Sequence, residues 1–276
     1  MSFTSVPHFA CAPAKPLIGV LCCNEVSERP IQAVASRFVE PLARVSGATV
    51  LLVPALPDLT DIYDLAERLD GLLLTGSRSN VAGNRYGGAR CSVERLDEDR
   101  DEIALALSAR MIERARPVFG ICRGLQELNV LFGGTLACEV AGHQRTGADA
   151  SFEALFDHEH DVTLVAGGML HAATGTTRLQ VNSVHEQGID RLGAGLAIEA
   201  RSADDDLIEA FSANPCGAPV VAVQWHPEWN YRERPQDAAF FTLVGDALRG
   251  QLGSGAPAPI ANGGGDVHQW WPGACG

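Results

Sequence analysis

The chain reads as an α/β protein: a mostly parallel central sheet flanked by helices on both faces, extended by antiparallel strands in its second half. Two observations predict this. Through the first half, short continuous apolar runs alternate with helical patterns, as in a parallel sheet covered on both sides. After about residue 150 the apolar runs shorten and alternate with polar residues, which suits antiparallel additions to the same sheet. The 276 residues allow one large domain with a sizeable core, and no internal repeat is visible.

Taken in order, Leu17–Cys22, Thr49–Val53, Gly71–Leu74 and Pro117–Ile121 are the expected buried strands. Between them the patterning predicts helices over Ile31–Ser46, Ile62–Arg68 and Asp97–Arg114. The third is the clearest. Its first turn carries Asp97, Glu98, Asp99, Asp101 and Glu102 and its end carries Arg110 and Arg114, matching the helix dipole. Ile103, Leu107 and Met111 recur every fourth residue as one apolar stripe. Pro41 is expected to kink or restart the first helix, because proline removes a backbone donor and crowds the preceding turn. In the second half, strands are expected over Asp161–Val165, Leu179–Val184, Ala197–Arg201, Leu207–Ala210 and Val220–Gln224, with a closing helix over Gln236–Arg249. Residues 1–15 then form an N-terminal extension and 16–252 the folded domain. The Gly/Pro-rich stretch 253–276, which carries Trp270 and Trp271, is expected to be disordered.

Composition narrows the class. Hydrophobic residues make up 46% and charged residues 20%, ordinary for a soluble domain, and no apolar run approaches a bilayer span. The N-terminus lacks the basic start and apolar core of a secretory signal, so a cytoplasmic location is expected. A net charge of −13 repels polyanions, which argues against nucleic acid and anionic membrane as partners. The eight cysteines form no C-x-x-C pair, and most are expected to be buried small hydrophobes or idle thiols.

One cysteine has a different context. Gly120-Ile121-Cys122-Arg123-Gly124 follows a predicted strand and opens a helix running to about Phe132. G-x-C-x-G is the thiol version of the nucleophile elbow, in which small flanking residues permit a strained strand-to-helix turn. The elbow presents sulfur at the carboxyl edge of the sheet, where the helix N-terminus favours negative charge. A second apolar strand runs into His226, and Glu228 lies two residues further on. In an extended backbone those two face the same side, so the carboxylate can orient the imidazole. Cys122, His226 and Glu228 thus form a nucleophile–base–orienter set. A third strand enters the loop Thr75-Gly76-Ser77-Arg78-Ser79-Asn80, whose Gly76 N–H, with that of Arg123, is a candidate oxyanion hole. His158 and His160 in HEHDV raise the question of a metal, but no neighbouring Cys or carboxylate set completes a site. They read as strand-edge or substrate-side residues.

With these pieces in order, the chain resembles the class I glutamine amidotransferase superfamily, and within it the γ-glutamyl-γ-aminobutyrate hydrolase family of putrescine degradation. The resemblance covers roughly residues 16–250 and rests on GSRSNV with Tyr86-Gly87, FGICRGLQELNVLFGG, VNSVHEQG and VQWHPEWN. It implies a flavodoxin-like fold, Cys122 as nucleophile, and His226 and Glu228 as its partners. It also implies hydrolysis of a γ-glutamyl amide through a glutamyl-thioester, with no metal or organic cofactor. Arg123, directly after the nucleophile, resembles the stand-alone hydrolases rather than synthase-linked amidotransferases. Arg123, Gln126, Asn182, Ser183, His185 and Gln187 are the candidates for holding the substrate. The sequence departs from the family at TGSRSN, where relatives carry a glycine run followed by an acid, and at Glu186. Both departures bear on which amine leaves. The expected partner is a small γ-glutamyl amine; whether the chain pairs as a homodimer stays open. The competing readings are a glutaminase subunit feeding ammonia to a synthase, and a non-enzymatic relative with a merely redox-active cysteine.

Overall fold

The computed structural model describes residues 14–88, 95–138, 140, 142–143, 154 and 156–252. Most of the N-terminal extension and all of the Gly/Pro-rich tail, with Trp270 and Trp271, lie outside the described residues. So do Cys11, Cys91 and Cys275.

Five parallel strands make the core of a nine-stranded sheet: β4 (Thr49–Val53), β1 (Leu17–Leu21), β5 (Gly71–Leu74), β6 (Val118–Ile121) and β13 (Val220–Val223), in that spatial order. Antiparallel β12 (Ile208–Ala213), β11 (Ala197–Ser202), β8 (Glu159–Leu164) and β9 (Arg178–Asn182) extend it on the β13 side. The expected mixed sheet is present, with its antiparallel strands all from the second half. Helices α2 (Ile62–Arg68), α3 (Glu98–Glu113) and α4 (Arg123–Leu131) cover one face; α1 (Ser36–Arg44), α5 (Met169–Thr174) and α6 (Pro235–Leu248) cover the other. Alternate residues of β6 serve the two layers: Phe119 and Ile121 pack with Phe240, while Val118 packs with Leu107 and Leu125. Asp97 caps α3 by accepting the Arg100 N–H at 3.1 Å, so that helix begins where its acidic turn predicts.

The first helical prediction needs correcting. Residues Arg29–Ala33 form β3, which pairs antiparallel with β2 (Cys23–Ser27), and the helix starts only at Ser36. Ile31, Val34, Ala35 and Phe38 recur at helical spacing, yet strand pairing across the turn at Glu28 takes Ile31 for a hairpin. Nor does Pro41 break α1, which continues through it to Arg44. Another short pair, β7 (Thr135–Ala137) with β10 (Gly188–Arg191), joins segments too short to show a period. Cys138 and Cys216 are disulfide-bonded, so these two are not the idle thiols expected.

A buried ionic network ties the elbow helix to the sheet edge. Glu127 on α4 accepts from Arg100 Nε at 3.0 Å and Nη2 at 3.2 Å, and from Arg123. Arg123 Nη2 also donates to Asp101 Oδ1 at 2.6 Å. All four side chains are at most 1% exposed. Removing one member strands its buried partners without compensation, which costs about 3–5 kcal/mol. Glu127→Ala should therefore lower the thermal midpoint by roughly 10 °C. An unchanged midpoint in calorimetry would mean that the two guanidinium groups find other partners.

Candidate active site

β6 and β13 are neighbours in register, Ile121 beside Val223, so the segments leaving their carboxyl ends emerge side by side. The Cys122 N–H donates to Val223 O at 2.8 Å and holds the elbow at that point. Cys122 has φ 53° and ψ −105°, a strained left-handed conformation for a residue with a Cβ. The flanking glycines are forced by contact. A Cβ on Gly120 would sit 2.6 Å from Gly124 C, and one on Gly124 would sit 2.2 Å from Leu74 O. Cys122 is only 6% exposed, at the start of α4, whose first N–H groups have no partner within the helix.

His226 lies 2.7 Å from Glu228, Nδ1 to Oε1, with both side chains buried. The contact is made differently from the extended-strand expectation. β13 ends at Val223, the chain bends at residues 224–225 just before His226, and Glu228 lies in the turn that follows. The Trp229 N–H donates to His226 O at 3.2 Å and closes this turn. Burial lowers the His226 pKa, but Glu228 and Cys122 outweigh it and raise the value to about 10. Arg37 Nε stands 3.6 Å from Glu228 Oε1. Phe156 meets the His226 ring edge-on at 5.1 Å and stacks on Trp229 at 3.7 Å, and Arg37 lies over Trp229 at 4.7 Å. Neither Arg37 nor Phe156 carries a local sequence signal, since each reaches the site only through the fold.

A Cβ on Gly76 would fall 2.6 Å from His226 Cε1 and 3.5 Å from Cys122 Cβ. The Gly76 backbone therefore lies against both groups, where the predicted oxyanion donor belongs. The Arg123 guanidinium fastens this loop, donating to Ser79 O at 2.9 Å and Asn80 O at 3.3 Å. With Asp101 and Glu127 also bonded to it, this side chain serves the protein more than a substrate.

A cavity of about 850 Å³ opens over Cys122 and His226. Of the proposed substrate residues, Arg123, Gln126, His185 and Gln187 line it. Asn182 and Ser183 do not. Asn182 Nδ2 donates to His226 O at 3.0 Å and its Oδ1 accepts the His226 N–H at 2.8 Å, a two-point clamp on the His226 backbone. The Ser183 hydroxyl donates to His143 O at 2.7 Å. Gln187 bonds Val81 through both ends of its amide, at 2.8 and 3.2 Å. Glu186 accepts from Asn80 Nδ2 at 3.2 Å, so the two departures from the family pattern touch at the cavity wall. His158 is half-buried, with Nε2 2.7 Å from Gly142 O. His160, expected at a strand edge without metal partners, is instead buried beside Glu209 and His143.

A cysteine elbow on a mostly parallel sheet, faced by a carboxylate-bonded histidine, defines a class I glutamine amidotransferase-like protein. A glutamine amidotransferase structure from Thermotoga maritima shares the fold with a TM-score of 0.59 over 85% of this chain and 98% of that one, at 13% identity. The Peptidase C26 family model matches residues 16–228, and the chain belongs to that family; it is a hydrolase. It is 35% identical over 227 residues to the γ-glutamyl-γ-aminobutyrate hydrolase of Escherichia coli strain K12, covering 79% of this chain and 87% of the relative. The Shigella flexneri enzyme of the same description is 34% identical over the same shares. Among the described residues no helix is long and apolar enough to cross a membrane.

Proposed function

We propose that the chain cleaves the γ-glutamyl amide bond of small γ-glutamyl amines, γ-glutamyl-γ-aminobutyrate foremost, to give glutamate and the free amine. The observation that carries this is the convergence of Cys122, the His226–Glu228 pair and the Gly76 backbone on one point of the cavity. The Cys122 thiolate attacks the γ-carbonyl carbon, and the resulting oxyanion takes hydrogen bonds from the Gly76 and Arg123 N–H groups. As the C–N bond breaks, the His226 imidazolium gives its proton to the leaving amine, and a glutamyl-thioester remains. His226, now neutral, takes a proton from water as that water attacks the thioester. Glutamate leaves and the thiolate–imidazolium pair is restored.

The cavity's charges favour γ-aminobutyrate over a polyamine as the leaving group. Arg37, which also stands 3.6 Å from Glu228, and Arg78 line it, and their positive charges attract the leaving group's carboxylate. Of the acidic residues there, Glu25 already accepts from Arg95 at 2.5 Å and Glu186 from Asn80. The expected order of kcat/KM is γ-glutamyl-γ-aminobutyrate, then a γ-glutamyl polyamine, with glutamine far behind. Arg78→Ala should raise KM for the first substrate several-fold and leave the polyamine adduct nearly unchanged. Glutamine as the best substrate would replace the hydrolase reading with an amidotransferase one.

A further inference from the structure

Beside the cavity, whose lining includes His185, the fold gathers four buried residues that take no part in the proposed chemical steps. His160 comes from β8, His185 from the loop between β9 and β10, Glu209 from β12, and His143 from the segment before β8. Glu209 is fully buried, and among the described residues neither of its oxygens has a hydrogen-bond partner in good geometry. Nor has His185 Nε2, nor either nitrogen of His160. Such atoms are costly to bury unless something binds them.

The outer bonds of two rings decide what can bind. His185 Nδ1 lies 3.0 Å from Gln187 O, and a carbonyl only accepts, so Nδ1 carries the proton. His143 Nε2 lies 2.9 Å from Asp205 Oδ2, which places the proton there for the same reason. In the neutral rings His185 Nε2 and His143 Nδ1 are therefore lone pairs. They face Glu209 Oε1 at 3.6 and 3.3 Å, and His160 Nε2 faces the same oxygen at 3.6 Å. Lone pairs aimed at an anionic oxygen repel unless a cation lies between them.

The spacing suits a metal. Bonds of about 2.0–2.1 Å at a tetrahedral centre give ligand-to-ligand edges of roughly 3.4 Å, close to the three distances to Glu209. The donor atoms of His143, His185 and Glu209 all lie within 4.8 Å of one another, so side-chain rotation of about an ångström closes the set. A carboxylate behind a ligating histidine, as Asp205 stands behind His143, is the usual outer support of such sites. We propose that His143 Nδ1, His160 Nε2, His185 Nε2 and Glu209 bind one Zn²⁺ ion in a closed, four-coordinate structural site. The ion ties β8, β12 and the β9–β10 loop together next to Asn182, whose clamp holds the His226 backbone. Its role is to stiffen that wall; with four protein ligands it has no open position for chemistry. Sequence spacing hides this set, because its members stand at positions 143, 160, 185 and 209 with no two on one motif.

The test uses the untagged full chain carrying Cys122→Ser, which removes the thiolate as a rival ligand. Co²⁺ titration should saturate at one equivalent, with visible bands of a four-coordinate nitrogen and oxygen site, and Zn²⁺ should abolish them by displacement. Zn²⁺ should also raise the thermal midpoint, and a chelator should lower it. Glu209→Gln should abolish the bands. Should that variant fail to fold, Asp205→Asn provides the second arm: its carboxylate is 42% exposed, and its loss should weaken Co²⁺ affinity roughly 10- to 100-fold. Absence of Co²⁺ bands, with a midpoint indifferent to Zn²⁺ and chelator, would mean that protons close the cluster and would overturn the proposal. Bands unchanged in both the Glu209 and Asp205 variants would place the metal elsewhere and do the same.

Discussion

Cys122→Ala should lose γ-glutamyl amide hydrolysis by about 10⁴-fold or more, because no covalent intermediate can form without the thiolate. The fold should survive, since Cys122 packs only its small side chain at the elbow and the strain of its φ of 53° lies in the backbone. A thermal midpoint within a degree or two of the parent enzyme would separate lost chemistry from lost structure. Alkylation should discriminate in the same way. Among the described residues the free thiols are Cys22, Cys23 and Cys122. Burial, with Cys23 beside it, pushes the Cys22 thiol up to about 11, so little thiolate is present there at neutral pH. Peptide mapping should find Cys122 modified first, in step with lost activity. Inactivation that tracks modification of Cys22 or Cys23 would remove Cys122 from its role.

Glu228→Gln should lower kcat by ~10²- to 10⁴-fold, since an amide no longer fixes the productive tautomer or supports the imidazolium. The pH profile gives a sharper signature than the rate. Burial favours neutral His226, while Glu228 and Cys122 favour its charged form and hold the pKa at about 10. The proton that the leaving amine needs is therefore lost as pH rises through that value, and the alkaline limb of kcat/KM should lie near it. Removing the carboxylate's attraction lowers the pKa, so in Glu228→Gln the limb should move toward lower pH. A slow variant whose alkaline limb stays in place would show that Glu228 supports the fold of the turn and not the charge on His226.

The parts of this site that sequence makes legible are those whose atoms come from one short stretch. The elbow is such a case: steric contact between Gly120 and Gly124 is local, and its glycines can be read directly. His226 and Glu228 are another, although the turn that joins them was expected to be a strand. β1, β5, β6 and β13 are legible because residues buried on both faces leave a continuous apolar run; β4 keeps such a run but is an edge strand with Leu51 and Leu52 exposed, not the buried strand expected. What stayed hidden depends on pairing across long separations. Asn182 reaches the His226 backbone from 44 residues away, and Arg123 grips Ser79 across the same separation. Read alone, both side chains looked available to a substrate. Residues 31–33 of β3 fall within the expected helix because Ile31 and Phe38 keep helical spacing, and only pairing with β2 decides otherwise.

The proposed reaction turns on a glutamyl-thioester at Cys122, and trapping it is the most direct measurement. His226→Ala, which keeps the elbow but slows both formation and hydrolysis of the thioester, and the parent enzyme should each be mixed with γ-glutamyl-γ-aminobutyrate, quenched rapidly in acid and mapped by mass spectrometry. The account predicts one glutamyl group on the peptide bearing Cys122, removed by hydroxylamine as a thioester is. A glutamyl group on any other residue would contradict it. So would an unmodified Cys122 in both this variant and the rapidly quenched parent enzyme while glutamate is still released.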